Sequence, residues 1–205
     1  LGEYLTAKPA RRRAIVTDQK HPKEFKVTRY KQATDAIIDF LARGGNDTSI
    51  ISSAIDELGR KRTRTEFQEQ DRELSIDALV SFLELLKSYS FEGIACIRTS
   101  GPAATLKMSG VTISVQPNLI VRCTNRKGDI LLGEIKLCFS KTHPLDREAG
   151  EYVGTALYEH AQMTMSDQGK IDPRYCMIID VFAGKVHMAP RIRCLTKARS
   201  IRAIA

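Results

Sequence analysis

Two short segments in the second half of the chain combine residue types that could act together on one ion or ligand. The first is residues 116–121 (QPNLIV), and the second, which follows a polar turn, is residues 133–137 (GEIKL). Because side chains two apart on a β-strand share a face, Glu134 and Lys136 should project together while their apolar neighbours pack on the other face. The alternative interpretation is an exposed ion pair on a solvent-facing strand, worth about 0–1 kcal/mol.

The turn between the two segments decides whether Asn118 joins this pair. A turn of odd length centred on Arg126 would place Asn118 directly opposite Glu134, with their Cβ atoms roughly 5 Å apart. A turn of even length would instead pair Asn118 with Ile135 and spoil the arrangement, unless a bulge intervened. With the odd turn, the sequence predicts a cluster of one amide, one acid and one amine.

This pattern resembles the PD-(D/E)xK nuclease superfamily, in which Pro-Asp on one strand precedes Glu-x-Lys on the next within an αβββαβ core. The resemblance covers about residues 65–182 and implies that Pro117 stands for the family proline. It also implies catalytic roles for Asn118, Glu134 and Lys136, with Asn118 and Glu134 as metal ligands. In that family the carboxylates hold Mg²⁺ or Mn²⁺, and the lysine orients water or stabilises charge during phosphodiester hydrolysis.

The chain departs from the family at Asn118, where a neutral amide replaces the aspartate. Mg²⁺ gives up its water reluctantly and is poorly compensated by a single carboxylate. Three explanations are open: an engineered Asp→Asn change, a natural loss of activity, or a migrated carboxylate such as Glu148 or Glu151. The function expected from the resemblance is therefore that of a Mg²⁺-dependent nuclease, which is inactive in this form if Asn118 prevents metal binding. The alternative is a catalytically dead subunit that binds nucleic acid or protein.

The helix expected after the Glu-x-Lys strand carries a polar stripe that includes Glu151, Tyr158 and Gln162. In several branches of the superfamily a Gln and a Tyr one turn apart on this helix border the active site, although here their order is reversed. The resemblance makes these three residues candidates for that border, and a solvated helix face is the competing interpretation. Lys141, in the loop before the helix, is a candidate phosphate contact.

The charge distribution favours a polyanionic partner. The chain has 32 Lys and Arg against 24 Asp and Glu, a formal net charge of +8. Neutralising phosphates with such groups releases counterions and drives nucleic-acid binding. We predict phosphate contacts, with DNA as the favoured polymer, from two clusters: Arg11, Arg12 and Arg13, and Arg60, Lys61, Arg62 and Arg64. The competing interpretation is solvated basic surface.

Hydrophobic periodicity predicts an α/β fold with a mixed sheet. Residues 1–30 are expected to form a basic extended arm, 31–64 a helical N-terminal region, and 65–205 the restriction-endonuclease-like domain. The predicted helices span about 31–44, 46–59, 65–89 and 146–165, with a basic terminal helix from about 193. The predicted strands span 94–98, 104–108, 111–123, 130–139, 175–182 and 186–188.

Several other classes are disfavoured. The 5 cysteines contain no CxxC pair, and none of the 4 histidines lies at zinc-ligand spacing from one, so we expect reduced thiols and no structural zinc. No apolar run approaches the roughly 18 residues of a membrane helix, and no secretory signal is evident, which predicts a cytoplasmic protein without a membrane partner. A protein-interaction module built from the helices of 31–90, or a homodimer, is also compatible with the sequence.

Overall fold

The computed structural model describes residues 4, 6–20, 29–100, 104–108 and 111–191, and within them the chain is an α/β protein with a mixed sheet. The helices are α1 (Pro9–Lys20), α2 (Lys31–Ala42), α3 (Ser49–Arg60), α4 (Glu66–Leu86) and α5 (Arg147–Met165). The strands are β1 (Ala95–Arg98), β2 (Ala104–Met108), β3 (Val111–Val115), β4 (Leu119–Thr124), β5 (Ile130–Cys138), β6 (Lys170–Ile171), β7 (Met177–Asp180) and β8 (Lys185–Met188), with a 3₁₀ turn at Pro173–Tyr175.

The main sheet has the order β1-β4-β5-β7-β8, with the short strand β6 paired to β5. Strand β4 is antiparallel to both β1 and β5, whereas β5 and β7 are parallel and β8 is antiparallel to β7. The β5–β7 connection passes through α5, since parallel neighbours need a crossover and a helix supplies it. Strands β2 and β3 form a separate two-stranded hairpin inserted between β1 and β4.

Local sequence signals account for the long helices. Helix α4 begins after Thr65, whose side chain accepts a hydrogen bond from the Gln68 N–H, and α5 begins after Asp146, which accepts one from the Ala149 N–H. These side chains satisfy backbone donors that the first helical turn leaves without partners. The predicted helices over 31–44, 46–59, 65–89 and 146–165 are therefore confirmed, with boundaries shifted by a few residues.

Two hydrophobic clusters lie on opposite faces of the sheet. The first joins α2, α3 and α4 to β4, β5 and β7, and contains Ile37, Phe82, Leu119, Val121, Ile135 and Leu137. The second lies under α5 and also includes side chains of the β2–β3 hairpin: Leu106, Val115, Leu132, Leu157, Ala161 and Ile178. Because residues 31–64 share the first cluster with the sheet, they pack as part of the same core.

Helix α5 lies close to the edge of the sheet through two glycines. A Cβ added at Gly150 would lie 2.4 Å from the His187 ring, and one at Gly154 would lie 2.8 Å from the Ala189 nitrogen. Neither distance is compatible with an ordinary side chain, so only glycine permits this approach. The two glycines therefore set how α5 docks over the sheet.

Three predictions about the chain are corrected. Residues 9–20 form helix α1 rather than an extended arm, because Pro9 occupies the first helical position, where its missing N–H costs nothing. The predicted strand 111–123 is two strands that belong to different sheets, separated around Pro117. The predicted strand 175–182 is shorter, as β7 ends at Asp180.

The basic helix predicted from about 193 lies outside the described residues. Among the described residues, no helix is long and apolar enough to cross a bilayer.

Candidate functional site

The β4–β5 hairpin has an odd turn, but its centre is Lys127 rather than Arg126. Ile120 therefore lies opposite Glu134, and Leu119 opposite Ile135. The predicted pairing of Asn118 with Glu134 is wrong by two residues. Because the register is shifted by an even number of residues, each side chain stays on the face of the sheet that was predicted for it.

Asn125 explains the centre of the turn. Its side-chain oxygen accepts hydrogen bonds from the backbone N–H groups of Lys127 and Asp129, at 2.8 and 2.9 Å. Gly128 takes the positive φ of 88° that the turn requires. An Asx-type turn of this kind fixes the register of the strands that leave it.

Asn118 lies just before β4 and is bonded to the backbone of β5. Its N–H donates to the Ile135 carbonyl at 2.7 Å, and its side-chain oxygen accepts from the Leu137 N–H at 2.9 Å. The oxygen that the family resemblance assigns to a metal therefore satisfies a strand N–H. In this arrangement Asn118 extends the pairing of β4 with β5.

Glu134 is buried on the α5 face of the sheet and paired with a histidine. Its carboxylate oxygens lie 2.8 and 3.0 Å from Nδ1 of His160, and the two residues are 1% and 5% exposed. Burial raises the pKa of Glu134, and the hydrogen bond from His160 opposes that rise. The two residues are therefore held together by a buried hydrogen bond between Nδ1 of His160 and the carboxyl group of Glu134.

Lys136 projects from the same face of β5 as Glu134, as the strand period predicts, but its partner is different. Its Nζ donates to the backbone oxygen of Gln116 at 2.8 Å. Burial lowers the pKa of this amine. The amide, acid and amine of the predicted cluster thus each bind a different group of the protein.

A cleft of about 400 Å³, here named the His160 cleft, opens beside this pair. Its lining includes residues from the end of β1, the approach to β4, and α5 with the turn after it. Glu134 and His160 both contribute to its wall, and the buried Nε2 of His160 has no hydrogen-bond partner in the part of the chain that the structure describes. The Glu134–His160 pair therefore forms part of the cleft wall and leaves one ring nitrogen unsatisfied.

The donor set does not fit Mg²⁺ or Mn²⁺. Among the described residues, no group of three or more His, Cys, Asp or Glu side chains is arranged to hold a metal. The oxygen of Asn118 accepts from a backbone N–H, and Glu134 is held by His160. Glu148 and Glu151, the candidates for a migrated carboxylate, do not line the His160 cleft, so they do not supply the acidic ligand that Asn118 lacks. No chemical step is therefore assigned to an ion.

The polar stripe predicted on α5 lies away from this cleft. Gln162 donates to the Tyr158 hydroxyl at 2.8 Å, and Glu151 pairs with Arg147 at 3.1 Å. The side chains of α5 and its following turn that line the cleft are instead His160, Thr164, Met165 and Gln168. The spacing of 160, 164 and 168, four residues apart each time, is the sequence signal that could have found them.

The predicted phosphate contacts occupy separate surfaces. Lys61, Arg62 and Arg64 line a groove of about 350 Å³ after α3, and Arg60 is exposed at the end of that helix. Lys141 is bound to Asp77 at 2.7 Å and lies 4.9 Å from the Phe182 ring centre. The other cluster, Arg11, Arg12 and Arg13, lies on α1.

Comparisons of the chain with protein-family models, with curated proteins and with solved structures found no match.

Proposed function

We propose that this chain is a nucleic-acid-binding protein of PD-(D/E)xK-like architecture that does not hydrolyse phosphodiester bonds in its present sequence. The observation that carries the proposal is the set of contacts made by the Glu-x-Lys strand. Glu134 and Lys136 share one face of the central strand β5, but Glu134 pairs with His160, and the described residues contain no group of three or more His, Cys, Asp or Glu side chains that could hold a metal. A binding role explains why the chain keeps the Glu-x-Lys strand motif without the set of metal ligands that hydrolysis requires.

The order of elements supports the architecture. Helix α4, strands β1, β4 and β5, helix α5 and strand β7 follow one another as αβββαβ, with the β2–β3 hairpin inserted after β1. The Pro117 and Asn118 pair precedes the second of these strands, and Glu134 and Lys136 lie on the third. This order supports the superfamily pattern, with the difference that Pro117 and Asn118 lie just before the strand rather than on it.

The basic surface supports the partner. The side chains of Lys61, Arg62 and Arg64 form no ion pair within the described part of the chain. Cations without carboxylate partners are free to replace counterions on a phosphate backbone. The groove after α3 is therefore the proposed phosphate contact, and DNA remains the favoured polymer.

Metal-dependent hydrolysis with Mg²⁺ or Mn²⁺ is the second candidate. It is favoured by the position of Asn118, whose side chain reaches the backbone of β5 beside Lys136. An aspartate there would add the carboxylate that the family places at this position. This candidate predicts activity for Asn118→Asp and none for the same variant carrying Lys136→Ala.

The test measures binding and cleavage together. Fluorescence anisotropy with DNA and RNA over a salt series should give affinity that falls with salt, and Arg62→Gln should reduce the log–log slope by about 1. Lys87→Gln is the matched control, since Lys87 already pairs with Glu84. Wild-type protein should leave both polymers intact with Mg²⁺ or Mn²⁺.

Two results would contradict the proposal. Binding that is absent at every salt concentration leaves the protein-interaction alternative. Metal-dependent cleavage by the wild-type chain, abolished by Lys136→Ala, establishes the hydrolytic candidate in its place.

A further inference from the structure

We propose that the groove after α3 binds single-stranded nucleic acid, with one base stacked on the ring of Phe67 and the flanking phosphates bound by the basic side chains. This inference rests on the proposed function, and it names the form of nucleic acid that the groove takes. Stacking on an aromatic ring requires a base with an open face, whereas the bases of a duplex cover each other's faces. The groove should therefore select unpaired strands.

The first argument is the position of Phe67. This residue lies in the first turn of α4 and lines the groove together with Arg62 and Arg64. Every other Phe and Tyr among the described residues belongs to one of the two hydrophobic clusters, whereas the half-buried Phe67 belongs to neither. An aromatic ring that lies outside the core and lines a basic groove is typical of sites on which bases stack.

The second argument is the charge around the ring. Four Lys or Arg residues line the groove, against one acid, Asp71. The carboxylate of Asp71 accepts a hydrogen bond from the Tyr30 N–H at 3.0 Å. Of the four cations, only Arg72 forms an ion pair within the described residues, and its partner is Glu69. The other three are the side chains already proposed to replace counterions on the phosphates.

The third argument is a cation that lies over the ring. The guanidinium carbon of the exposed Arg29 is 5.8 Å from the centre of the Phe67 ring. A guanidinium can stack on a base and can also bind a phosphate. A base stacked on Phe67 would therefore gain a second favourable neighbour in Arg29.

The fourth argument is that the basic segment and the ring are held together. The Arg64 N–H donates to Oε1 of Gln68 at 2.9 Å, and Nη1 of Arg72 donates to the Lys61 carbonyl at 3.0 Å. Both hydrogen bonds join the basic segment to the first two turns of α4, where Phe67 lies. A site that is ordered before binding loses less conformational entropy when the ligand arrives. The phosphate contacts and the stacking surface are thus fixed relative to each other.

The experiment compares strands with and without bases. The probes are a thymidine 12-mer and an abasic 12-mer of the same charge. Wild-type protein should bind the thymidine strand about tenfold more tightly, which is the size expected for one stacked base. Phe67→Leu keeps an apolar side chain but removes the flat ring, so it should bind both strands equally. Tyr175→Leu is the matched control, because Arg174 lies 5.7 Å over that ring but Tyr175 does not line the groove, and it should keep the tenfold difference.

A fluorescence measurement tests the stacking directly. The chain contains no tryptophan, so Phe67→Trp introduces a single indole at the groove. A base stacked on an indole quenches its emission. The thymidine strand should therefore reduce the emission, while the abasic strand and a duplex should not. Val80→Trp is the control, because Val80 lies on the same helix, is 47% exposed and does not line the groove, and its emission should not change with any of the three.

The outcomes separate this inference from the proposed function. Equal affinity of wild-type protein for the thymidine and abasic strands, with normal salt dependence, overturns the stacking site and leaves the binding function intact. A preference that persists in Phe67→Leu, or unchanged emission of Phe67→Trp, overturns the assignment to Phe67. The two variants are independent, so misfolding of one leaves the other as the test. The absence of binding to either strand overturns the proposed function itself.

Discussion

The two faces of β4 and β5 are formed by alternate residues of the same segments, but they differ in chemistry. Leu119, Val121 and Ile135 point to the face covered by α2, α3 and α4, where the buried cluster is apolar. Glu134 points to the face covered by α5, where it meets His160 beside a cleft. One pair of strands thus supports a packed core on one side and a candidate binding site on the other.

The two faces of the sheet contribute differently to stability and to ligand binding. Apolar contacts on the first face stabilise the fold, because they remove surface from water and pack closely. The pair on the second face contributes little net stability, because burying a charge costs about as much as the pairing returns. We therefore expect changes on the first face to alter stability alone, and changes on the second to alter both stability and binding.

The largest expected effect is on the first face. Phe82 is fully buried and its ring contacts Phe40 and Phe91. Phe82→Ala should lower the free energy of unfolding by about 3–5 kcal/mol, measured by urea denaturation. Val80→Ala, on the same helix but 47% exposed, is the control and should change it by no more than about 0.5 kcal/mol. A changed affinity of folded Phe82→Ala for DNA would contradict the separation of the faces.

An intermediate effect that depends on pH is expected at the buried pair. His160→Leu leaves Glu134 buried without its partner, which should cost about 1–3 kcal/mol at pH 8. The folded-state pKa of Glu134 is already raised by burial, and losing the hydrogen bond from His160 raises it further. The contribution of a raised carboxyl pKa is present below the unfolded value near 4.5 and is lost as pH rises through the folded pKa.

Urea denaturation between pH 4 and pH 8 measures this dependence. The difference between His160→Leu and wild type should be smallest at pH 4 and grow with pH. Adding Glu134→Gln removes the titrating group, so the double variant should lose that dependence. A constant difference across the range would show that Glu134 does not cause it.

The smallest expected effect concerns the polar stripe of α5. Tyr158→Phe removes the acceptor of the Gln162 hydrogen bond and should cost about 0.5–1.5 kcal/mol, since the pair is only partly buried. The affinity for DNA should be unchanged, because neither side chain lines the groove after α3 or the His160 cleft. A reduced affinity would place the stripe at the binding site, as the family resemblance implies.

Most of the secondary structure could be predicted because its signals are local. The caps at Thr65 and Asp146 and the apolar period of α4 lie within a few residues of the elements they define. The helix over 9–20 was missed because its apolar residues do not follow one face, and a proline at the first position permits a helix without requiring one.

The candidate site was only partly predictable. The period of a strand was enough to place Glu134 and Lys136 on one face. The register of β4 with β5 depended on Asn125 accepting two backbone hydrogen bonds, which shifted the turn centre by one residue. The pairing of His160 with Glu134 spans 26 residues, a separation at which residue types alone do not predict contact.

Contacts between near neighbours in the chain define helices α2 to α5, most of the strands and the alternation that turns Glu134 away from the apolar core, so the sequence alone was enough to predict them. Only the tertiary structure decided which group meets that carboxylate. Gly150 and Gly154 let α5 lie against the residues of β8 and its end, and this docking brings His160 over β5. The partner of a buried charge is set by such long-range packing, because the docked elements fix which side chains share one low-dielectric volume.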